Sequence, residues 1–202
     1  IRLAELEQVL EQNPDSVRSV LYAMPTPKKE RSKALYTVLK TQADYKCYEP
    51  LESDSLMLEA TAYYGTGKKD YYAALAYYTL GCVYDEKGND IVALEAYLKA
   101  KDLFPDTLIR YYALTECLLG LKYVNSNAYD YAENNLLCAM NNADRLNDVH
   151  TYCISRYNYA LCLLHRRDFE TAEQYFLEFL DNEAYSEYYR INPLLQLAKI
   201  YY

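Results

Sequence analysis

The sequence is poor in the residues that make tight turns. Its 202 residues include five glycines and six prolines, fewer of each than an average protein of this length contains. An all-β chain needs frequent turns, and glycine and proline favour turns through their special backbone geometry. We therefore expect an all-α protein, with a length that suits one domain or two.

Positive charge and long apolar runs are also scarce. Lysine and arginine number 21 against 29 aspartates and glutamates, which gives a net charge of −8. An acidic surface repels nucleic-acid phosphates and anionic lipid head groups, so we expect no nucleic-acid partner. Spanning a bilayer takes a run of about 20 uncharged apolar residues, and the sequence contains no such run. We expect a membrane association only through an anchor or span outside these residues.

Catalytic and metal-binding motifs are missing as well. The cysteines are Cys47, Cys82, Cys117, Cys138, Cys153 and Cys162. They fall in predicted helices, without a C-x-x-C pair or a ligand-like spacing to histidine. We interpret them as small core residues, while a disulfide between Cys138 and Cys153 and a metal site stay open as alternatives.

The sequence contains two histidines, His150 and His165. Cys162 precedes His165 by one helical turn, so a nucleophile and a base could face each other there, but no third catalytic residue accompanies them. The string "YGTGKKD" lacks the first glycine and the Ser/Thr of a phosphate loop, and we interpret it as a turn. We predict a protein that is not an enzyme and that holds no cofactor and no metal.

Small residues recur at a nearly constant spacing within helical patterns. Gly81, Gly120, Ala160 and Ala198 follow one another at nearly equal intervals. An alanine comes after each of the first three at one fixed interval, at positions 93, 132 and 172. A glycine inside a helix costs about 1 kcal/mol relative to alanine. We predict that these small residues mark paired helices that cross closely, with Gly81 admitting the backbone of the neighbouring helix.

The first of these blocks resembles the tetratricopeptide repeat, a helix–turn–helix unit of about 34 residues. Residues 74–107 carry its pattern in Tyr77, Leu80, Gly81, Tyr84, Gly88, Ala93, Tyr97, Ala100 and Pro105. Residues 113–146 and 153–186 match less completely, because Glu116 and Arg156 replace the first aromatic residue. A partial repeat runs to residue 202. The resemblance implies an α–α superhelix, a right-handed solenoid over residues 73–202, and we predict one continuous domain.

Residues 1–72 are predicted to form divergent helical hairpins that cap the solenoid. Pro14 suits the first turn of a helix. The segment "SDSLMLEATAYYG" begins with a Ser53 or Asp54 cap and ends at Gly65. In this order, "LEQNPDSVRSVL", "RSKALYTVLKTQADYK", "SDSLMLEATAYY" and "YYAALAYYTLGCVYDEKGN" resemble a group of envelope proteins of Gram-negative gut bacteria. That resemblance implies a membrane-anchored periplasmic protein, and the six cysteines keep a cytoplasmic location as the alternative.

The tetratricopeptide resemblance also implies a groove on the concave face, formed by the first helix of each pair. The groove residues it implies are Tyr78, Cys82, Asp85, Glu86, Leu121, Val124, Asn125, Tyr157, Leu161 and His165. We expect the apolar ones in the second and third repeats to form an exposed strip that binds a partner. The competing interpretation is that they touch one another and form extra core.

Two functions from different classes follow from these patterns. The leading hypothesis is a non-catalytic scaffold that binds a peptide or helix of an unidentified protein partner in its groove. The alternative is a structural or sensor segment that acts through self-association, with a homodimer as its expected form. The 26 tyrosines either pack the repeats or turn outward to line a binding surface.

The end of the chain carries an apolar stripe on a last predicted helix. Its residues are Leu194, Leu195, Leu197, Ala198 and Tyr201. Because no predicted helix pairs with it, we expect a second molecule or a following helix to cover this stripe.

Overall fold

The structure is a computed structural model that describes residues 3–51, 54–65, 68–106, 108–181 and 191–201. The described residues form eleven α-helices that pack in sequential pairs, which confirms the all-α prediction. Helix contacts divide the chain into two compact units, Ile1–Pro105 and Asp106–Tyr202. This division follows the first predicted repeat rather than preceding it at residue 72. The prediction of one continuous domain stays a prediction.

Six helices lie in the part of the first unit that the structure describes. Its pairs are α1 with α2, α3 with α4 and α5 with α6, and α3 also packs against α1 and α5. The helices are α1 (Leu3–Val9), α2 (Pro14–Ala23), α3 (Glu30–Lys46), α4 (Ser55–Tyr64), α5 (Tyr71–Glu86) and α6 (Asp90–Leu103). Pro14 is the first residue of α2, and Gly65 follows the end of α4 with a φ of 69°, both as predicted. Asp54 precedes α4, while Ser53 lies outside the described residues.

The described residues of the second unit form five helices. Its pairs are α7 with α8 and α9 with α10, while α11 packs against α10, and α7 and α9 are in contact with each other. The helices are α7 (Arg110–Asn125), α8 (Tyr129–Arg145), α9 (Val149–His165), α10 (Phe169–Asp181) and α11 (Ile191–Tyr201). In both units the observed pairs begin slightly before the predicted repeats, at 71, 110 and 149 instead of 74, 113 and 153.

Gly81 makes room for a side chain of its paired helix. A Cβ atom added to Gly81 would lie 2.4 Å from Cε1 of Tyr97 on α6, and 2.5 Å from its Cδ1. The Tyr97 side chain is fully buried, and its hydroxyl donates a hydrogen bond of 2.7 Å to Asp85. The prediction that Gly81 admits a neighbouring backbone is therefore wrong in its detail, because the approaching group is an aromatic ring.

The same contact recurs in the second unit. A Cβ atom at Gly120 would lie 2.4 Å from Cγ of Leu136 on α8. Ala160 and Phe176 are both fully buried in one core cluster, and their spacing in the sequence equals that of the other two pairs. In the α5–α6, α7–α8 and α9–α10 pairs, a small residue on the first helix thus lies in the core beside a large residue on the second. We call these three contacts the small–large pairs.

Five connections between helices share one backbone conformation. The residue with a positive φ is Tyr48 after α3, Gly88 after α5, Asn127 after α7, Asn147 after α8 and Arg167 after α9. At Gly88, the amide of the following Asn89 donates to Tyr84 and that of Gly88 donates to Asp85, both at 2.9 Å. This is the Schellman arrangement, which satisfies the last carbonyl groups of a helix. Its recurrence contributes to the nearly constant spacing along the chain.

Tyrosine hydroxyls reach polar partners at the edge of the core. Tyr71 donates a hydrogen bond of 2.6 Å to Glu7, which joins α5 to α1. Tyr36 donates to the carbonyl oxygen of Leu21 at 3.0 Å, and Tyr159 donates to Glu133 at 3.0 Å. A phenylalanine would bury the same ring without these bonds. This geometry supports the packing interpretation for these tyrosines.

Candidate functional site

Two of the four predicted groove residues of the first unit lie in the core. All four belong to α5. Tyr78 is 5% exposed and Cys82 is 1% exposed, so neither side chain is available to a partner. Asp85 is half-buried and accepts the hydrogen bond from Tyr97. Glu86 alone of the four is exposed.

The predicted groove residues of the second unit lie on two helices in contact, α7 and α9. Asn125 and His165 are located near the ends of these helices, whereas Val124 is buried. Leu121, Tyr157 and Leu161 are half-buried. None of the four apolar side chains is exposed, so they favour the extra-core interpretation over a freely exposed strip.

Tyr157 is one of the predicted groove residues that pack inside the second unit. Its ring centroid lies 5.9 Å from that of Phe176 and 6.4 Å from that of Phe179. Its hydroxyl accepts a hydrogen bond of 3.3 Å from the amide nitrogen of Gln196. Tyr157 therefore joins α9 to α10 and α11, and it is committed to internal packing.

The cysteines are free thiols, and at least three lie in environments that disfavour the thiolate. Burial raises the pKa of the Cys82 thiol to about 12 and that of the Cys117 thiol to about 11. Burial also raises the pKa of Cys162, whose sulfur donates to the carbonyl oxygen of Tyr129 at 3.6 Å. His165 stacks on the ring of Tyr129 with 6.2 Å between centroids, so Cys162 and His165 are each engaged by Tyr129.

A cleft of about 520 Å³ opens in the first unit, between α2, α3 and α4. Its floor is one face of α3, and its walls come from α2, the start of α4 and the segment before α4. The residues that line it are Arg18, Tyr22, Thr26, Lys33, Tyr36, Thr37, Lys40, Thr41, Asp44, Glu49, Pro50, Leu51 and Leu56. A shallower depression continues it along α3 and α4 towards Glu30 and Tyr63. We call the two together the α3 groove.

A short second helix leaves this groove open. α4 has 10 residues against 17 in α3, and it begins only at Ser55, after a long connection that leaves α3 at Lys46. In the next pair a short turn connects α5 to α6, which has 14 residues. The polar face of α3 at Thr37, Lys40 and Thr41 is therefore not covered by a full-length partner helix.

The wall and the floor of the groove share a charged network around Tyr22. Arg18 donates from Nε to Asp44 at 2.7 Å, and the Tyr22 hydroxyl donates to the same carboxylate at 2.9 Å. The ammonium group of Lys40 lies 4.0 Å from the centroid of the Tyr22 ring, within the range of a cation–π contact. Arg18 also pairs with Glu49 at 3.3 Å. This network holds the long side chains of the groove in place.

Lys40 differs from Arg18 in having no acidic partner among the described residues. Among the described residues no carboxylate pairs with it, and the hydroxyls of Thr37 and Thr41 form no hydrogen bond there either. All three side chains line the cleft. One lysine and two threonines thus line the groove, and none of the described residues engages the two hydroxyls or forms an ion pair with the ammonium group.

Two lysines of the groove, Lys33 and Lys40, belong to a cluster of positive charge in the sequence that the apolar pattern does not include. Five cations and one acid lie between residues 28 and 40, in a chain with a net charge of −8. The cations are Lys28, Lys29, Arg31, Lys33 and Lys40. Positive charges near a helix N-terminus are unfavourable for the helix dipole, so their concentration at the start of α3 calls for a reason other than helix stability.

Comparisons with protein-family models, with curated proteins and with solved structures found no match. Within the described ranges, no group of three or more histidine, cysteine or acidic side chains is placed to hold a metal ion. In the same part of the chain, no helix has both the length and the apolar character needed to cross a membrane.

Proposed function

We propose that this protein is a non-catalytic interaction scaffold that binds an acidic, partly apolar peptide segment of a partner protein in the α3 groove. The observation that carries the proposal is the cleft of about 520 Å³ with Lys40, Thr37 and Thr41 in its lining. This function belongs to the class expected from the sequence, but its surface differs from the groove implied there.

Charge supports an acidic ligand. Arg18 is neutralised by Asp44 and Glu49, and Lys33 pairs with Glu59 at 3.3 Å. Lys40 contacts the Tyr22 ring, and no carboxylate of the described residues forms an ion pair with it. A ligand carboxylate at Lys40 would supply the missing negative charge and accept hydrogen bonds from the two threonines. A charge-assisted hydrogen bond of this kind is about twice as strong as a neutral one.

Shape and apolar surface support an extended peptide. The groove runs along α3 from Glu49 to Glu30, and Leu56 and Tyr63 border it with 55% and 46% of their surface exposed. Exposed leucine and tyrosine side chains beside a polar floor offer apolar contact area for one side of a bound chain. We therefore propose a segment in which an acidic residue alternates with apolar ones.

The state of the thiols supports a non-catalytic role. A nucleophilic cysteine needs a lowered pKa, and burial moves the pKa of Cys82, Cys117 and Cys162 in the opposite direction. The tetratricopeptide class itself remains a proposal, supported by the small–large pairs and the repeated Schellman turns. The envelope location is also a proposal and rests on the N-terminal resemblance.

The proposal is tested by selecting peptides from a random displayed library on the whole chain. We expect the selected peptides to carry an acidic residue next to apolar ones. A synthetic copy should bind the parent protein, and Lys40→Glu should weaken that binding by about tenfold or more, since it replaces attraction with repulsion. Lys40→Ala should cause a smaller loss. Added salt should weaken binding to the parent.

Lys99→Glu is the matched control. Lys99 makes the same kind of contact, with its ammonium 5.7 Å from the centroid of Tyr77, but it lies on α6 outside the groove. We expect it to bind the peptide as the parent does. The proposal is wrong if Lys40→Glu, folded as judged by circular dichroism, selects and binds the same peptides as the parent.

A further inference from the structure

Two basic segments of the first unit lie side by side although they are distant in the sequence. Residues 28–33 lead into α3, and residues 68–70 lead into α5. These helices are in contact, and Gln42 further along α3 donates a hydrogen bond of 2.8 Å to Thr79 further along α5. Burial raises the pKa of Tyr72 near the start of α5, and the positive charge of Arg31 near the start of α3 offsets part of that rise. The two helices therefore run in the same direction, and both segments lie at one end of the first unit.

Exposed positive charge dominates this end. The acids of the two segments are Glu30 and Asp70, and the Asp70 carboxylate accepts a hydrogen bond from the amide of Ala73 at the start of α5. Lys33 pairs with Glu59 at 3.3 Å. The other cations are exposed and form no ion pair with any described residue, and we call them the basic end face: Lys28, Lys29, Arg31, Lys68 and Lys69.

An anion at the basic end face would relieve an unfavourable arrangement. Like charges repel each other, and positive charge beside a helix N-terminus opposes the helix dipole. The basic end face combines both effects, since its cations lie just before or at the starts of α3 and α5. Helix stability therefore does not explain this concentration of charge.

Tyrosine rings at the end of α4 and the start of α5 border the basic end face. The ring centroid of Tyr64 lies 5.3 Å from that of Tyr63 and 6.4 Å from that of Tyr72. Burial raises the pKa of Tyr64 to about 12, and the charge of Arg31 acts against this rise as it does at Tyr72. Tyr63 is exposed, so its ring adds apolar area and a hydroxyl group beside the cations.

We propose that the basic end face binds an acidic segment of a partner protein in which several carboxylates lie close together. Lysine and arginine donate charge-assisted hydrogen bonds to carboxylates, which are about twice as strong as neutral ones. Recognition of acidic motifs by clustered cations is a recurring mode of peptide binding. None of the five cations lines the α3 groove, so this proposal does not rest on the proposed function.

The charge of the remaining surface favours a short acidic segment over a larger anion. The whole chain has a net charge of −8 although the basic end face contributes five positive charges. A membrane surface or a nucleic acid carries phosphates beyond this face, and those phosphates would meet the acidic remainder of the chain. Exposed charges act over about 8 Å at physiological ionic strength, so a short segment avoids most of that repulsion.

A second copy of the chain fits this face less well than a different protein does. Acidic residues lie near the other end of α3 and α4, but Asp44 pairs with Arg18 at 2.7 Å and Asp54 pairs with Lys87 at 3.1 Å. These carboxylates already have cationic partners. An acidic segment without such partners has to come from another protein.

The probe is a fluorescein-labelled hexaglutamate peptide, and fluorescence anisotropy measures its binding to the 202-residue chain. We expect saturable binding that added salt weakens. The double variant Lys68→Glu, Lys69→Glu should weaken binding about tenfold or more, because it replaces attraction with repulsion. The double variant Lys28→Glu, Lys29→Glu should have the same effect.

Three control variants separate this surface from general attraction and from the α3 groove. Arg145→Glu with Lys199→Glu makes the same change in net charge at exposed positions of the second unit, and it should bind within about twofold of the parent. Lys68→Arg with Lys69→Arg keeps the charge and should retain binding. Lys40→Glu should leave hexaglutamate binding unchanged. Circular dichroism checks that every variant is folded.

Several results would overturn the proposal. A parent chain that does not bind hexaglutamate at low salt contradicts it, as does an equal loss in the second-unit control or a loss in Lys40→Glu. Tighter binding of anionic phospholipid vesicles or of a single-stranded oligonucleotide through the same lysines would replace the acidic segment with a phosphate-bearing ligand. Self-association in sedimentation that Lys68→Glu with Lys69→Glu abolishes would make the occupant a second copy.

Discussion

Replacing Gly81 with alanine should destabilise the first unit although alanine is the better helix former. The new Cβ would lie 2.4 Å from Cε1 of Tyr97, so the ring has to move by about 1 Å to reach ordinary contact distance. Tyr97 is fully buried and its hydroxyl is bound to Asp85, which restricts that movement. Overpacking of this kind costs about 1–3 kcal/mol, while the gain in helix propensity is about 1 kcal/mol.

We therefore expect Gly81→Ala to lower the free energy of unfolding by about 1 kcal/mol, the middle of the net range, and Gly81→Leu by several kcal/mol. The assay is urea unfolding of the full chain followed by circular dichroism at pH 7. A Gly81→Ala variant that is as stable as the parent, or more stable, would refute the small–large explanation of this glycine.

The α9–α10 pair suggests a matched background for this test. It already combines an alanine, Ala160, with a phenylalanine, Phe176, at the equivalent positions. Tyr97→Phe removes the hydroxyl that ties the ring to Asp85, so the ring can shift. We expect Gly81→Ala to cost about 1 kcal/mol less in that background than in the parent. Equal costs in both backgrounds would show that Tyr97 does not limit this position.

Three further outcomes are expected, each measured by urea unfolding. Arg167→Gly should stabilise the protein by about 1 kcal/mol, because Arg167 has a φ of 65°, which strains an arginine backbone but not a glycine backbone. An unchanged stability would contradict the strain at Arg167. Below about pH 9, the ordinary thiol pKa, the stabilising contribution of Cys82 and Cys117 should be fully present. The free energy of unfolding should then fall as the pH rises through their folded-state pKa values of about 12 and 11, because above pH 9 the thiols ionise more easily in the unfolded chain than in the folded one. The loss of unfolding free energy is about 1.4 kcal/mol per pH unit for each thiol, and it should be smaller in a Cys82→Ala variant. An unfolding free energy that does not change up to pH 11 would contradict this prediction. Tyr71→Phe should lower the free energy of unfolding by about 1 kcal/mol, because it removes the hydrogen bond to Glu7. It should also speed amide hydrogen exchange in α1, and unchanged exchange would contradict the link between α1 and α5.

The helical class and the pairing of helices were predictable because they depend on local patterns. Apolar residues at helical spacing and small residues such as Gly81 and Gly120 repeat at nearly constant intervals, and packed helices require that regularity. Pro14 and Gly65 marked helix ends through backbone geometry that is specific to each residue. The identity of the group opposite Gly81 was not predictable, because a small residue admits a backbone and a ring equally well.

The candidate site depends on features that no short pattern contains. Lys40 and Tyr22 are distant in the sequence and belong to different helices, and their contact depends on how α2 packs against α3. The opening above Thr37 depends on the length of α4, which is set by where that helix begins after the preceding connection. The sequence also does not show how far the hydrophobic core extends. Val124 and Tyr157 were therefore expected on a surface, but they pack inside the second unit.

Hydrogen exchange of the whole chain, with and without an acidic peptide selected on it, tests the central claim most directly. If the α3 groove is the binding site, the peptide should slow amide exchange in α2, α3 and the start of α4, and the Lys40→Glu variant should show no such change. Protection confined to α7 and α9, around Asn125 and His165, would contradict the account and would place the binding surface in the groove that the repeat pattern implied.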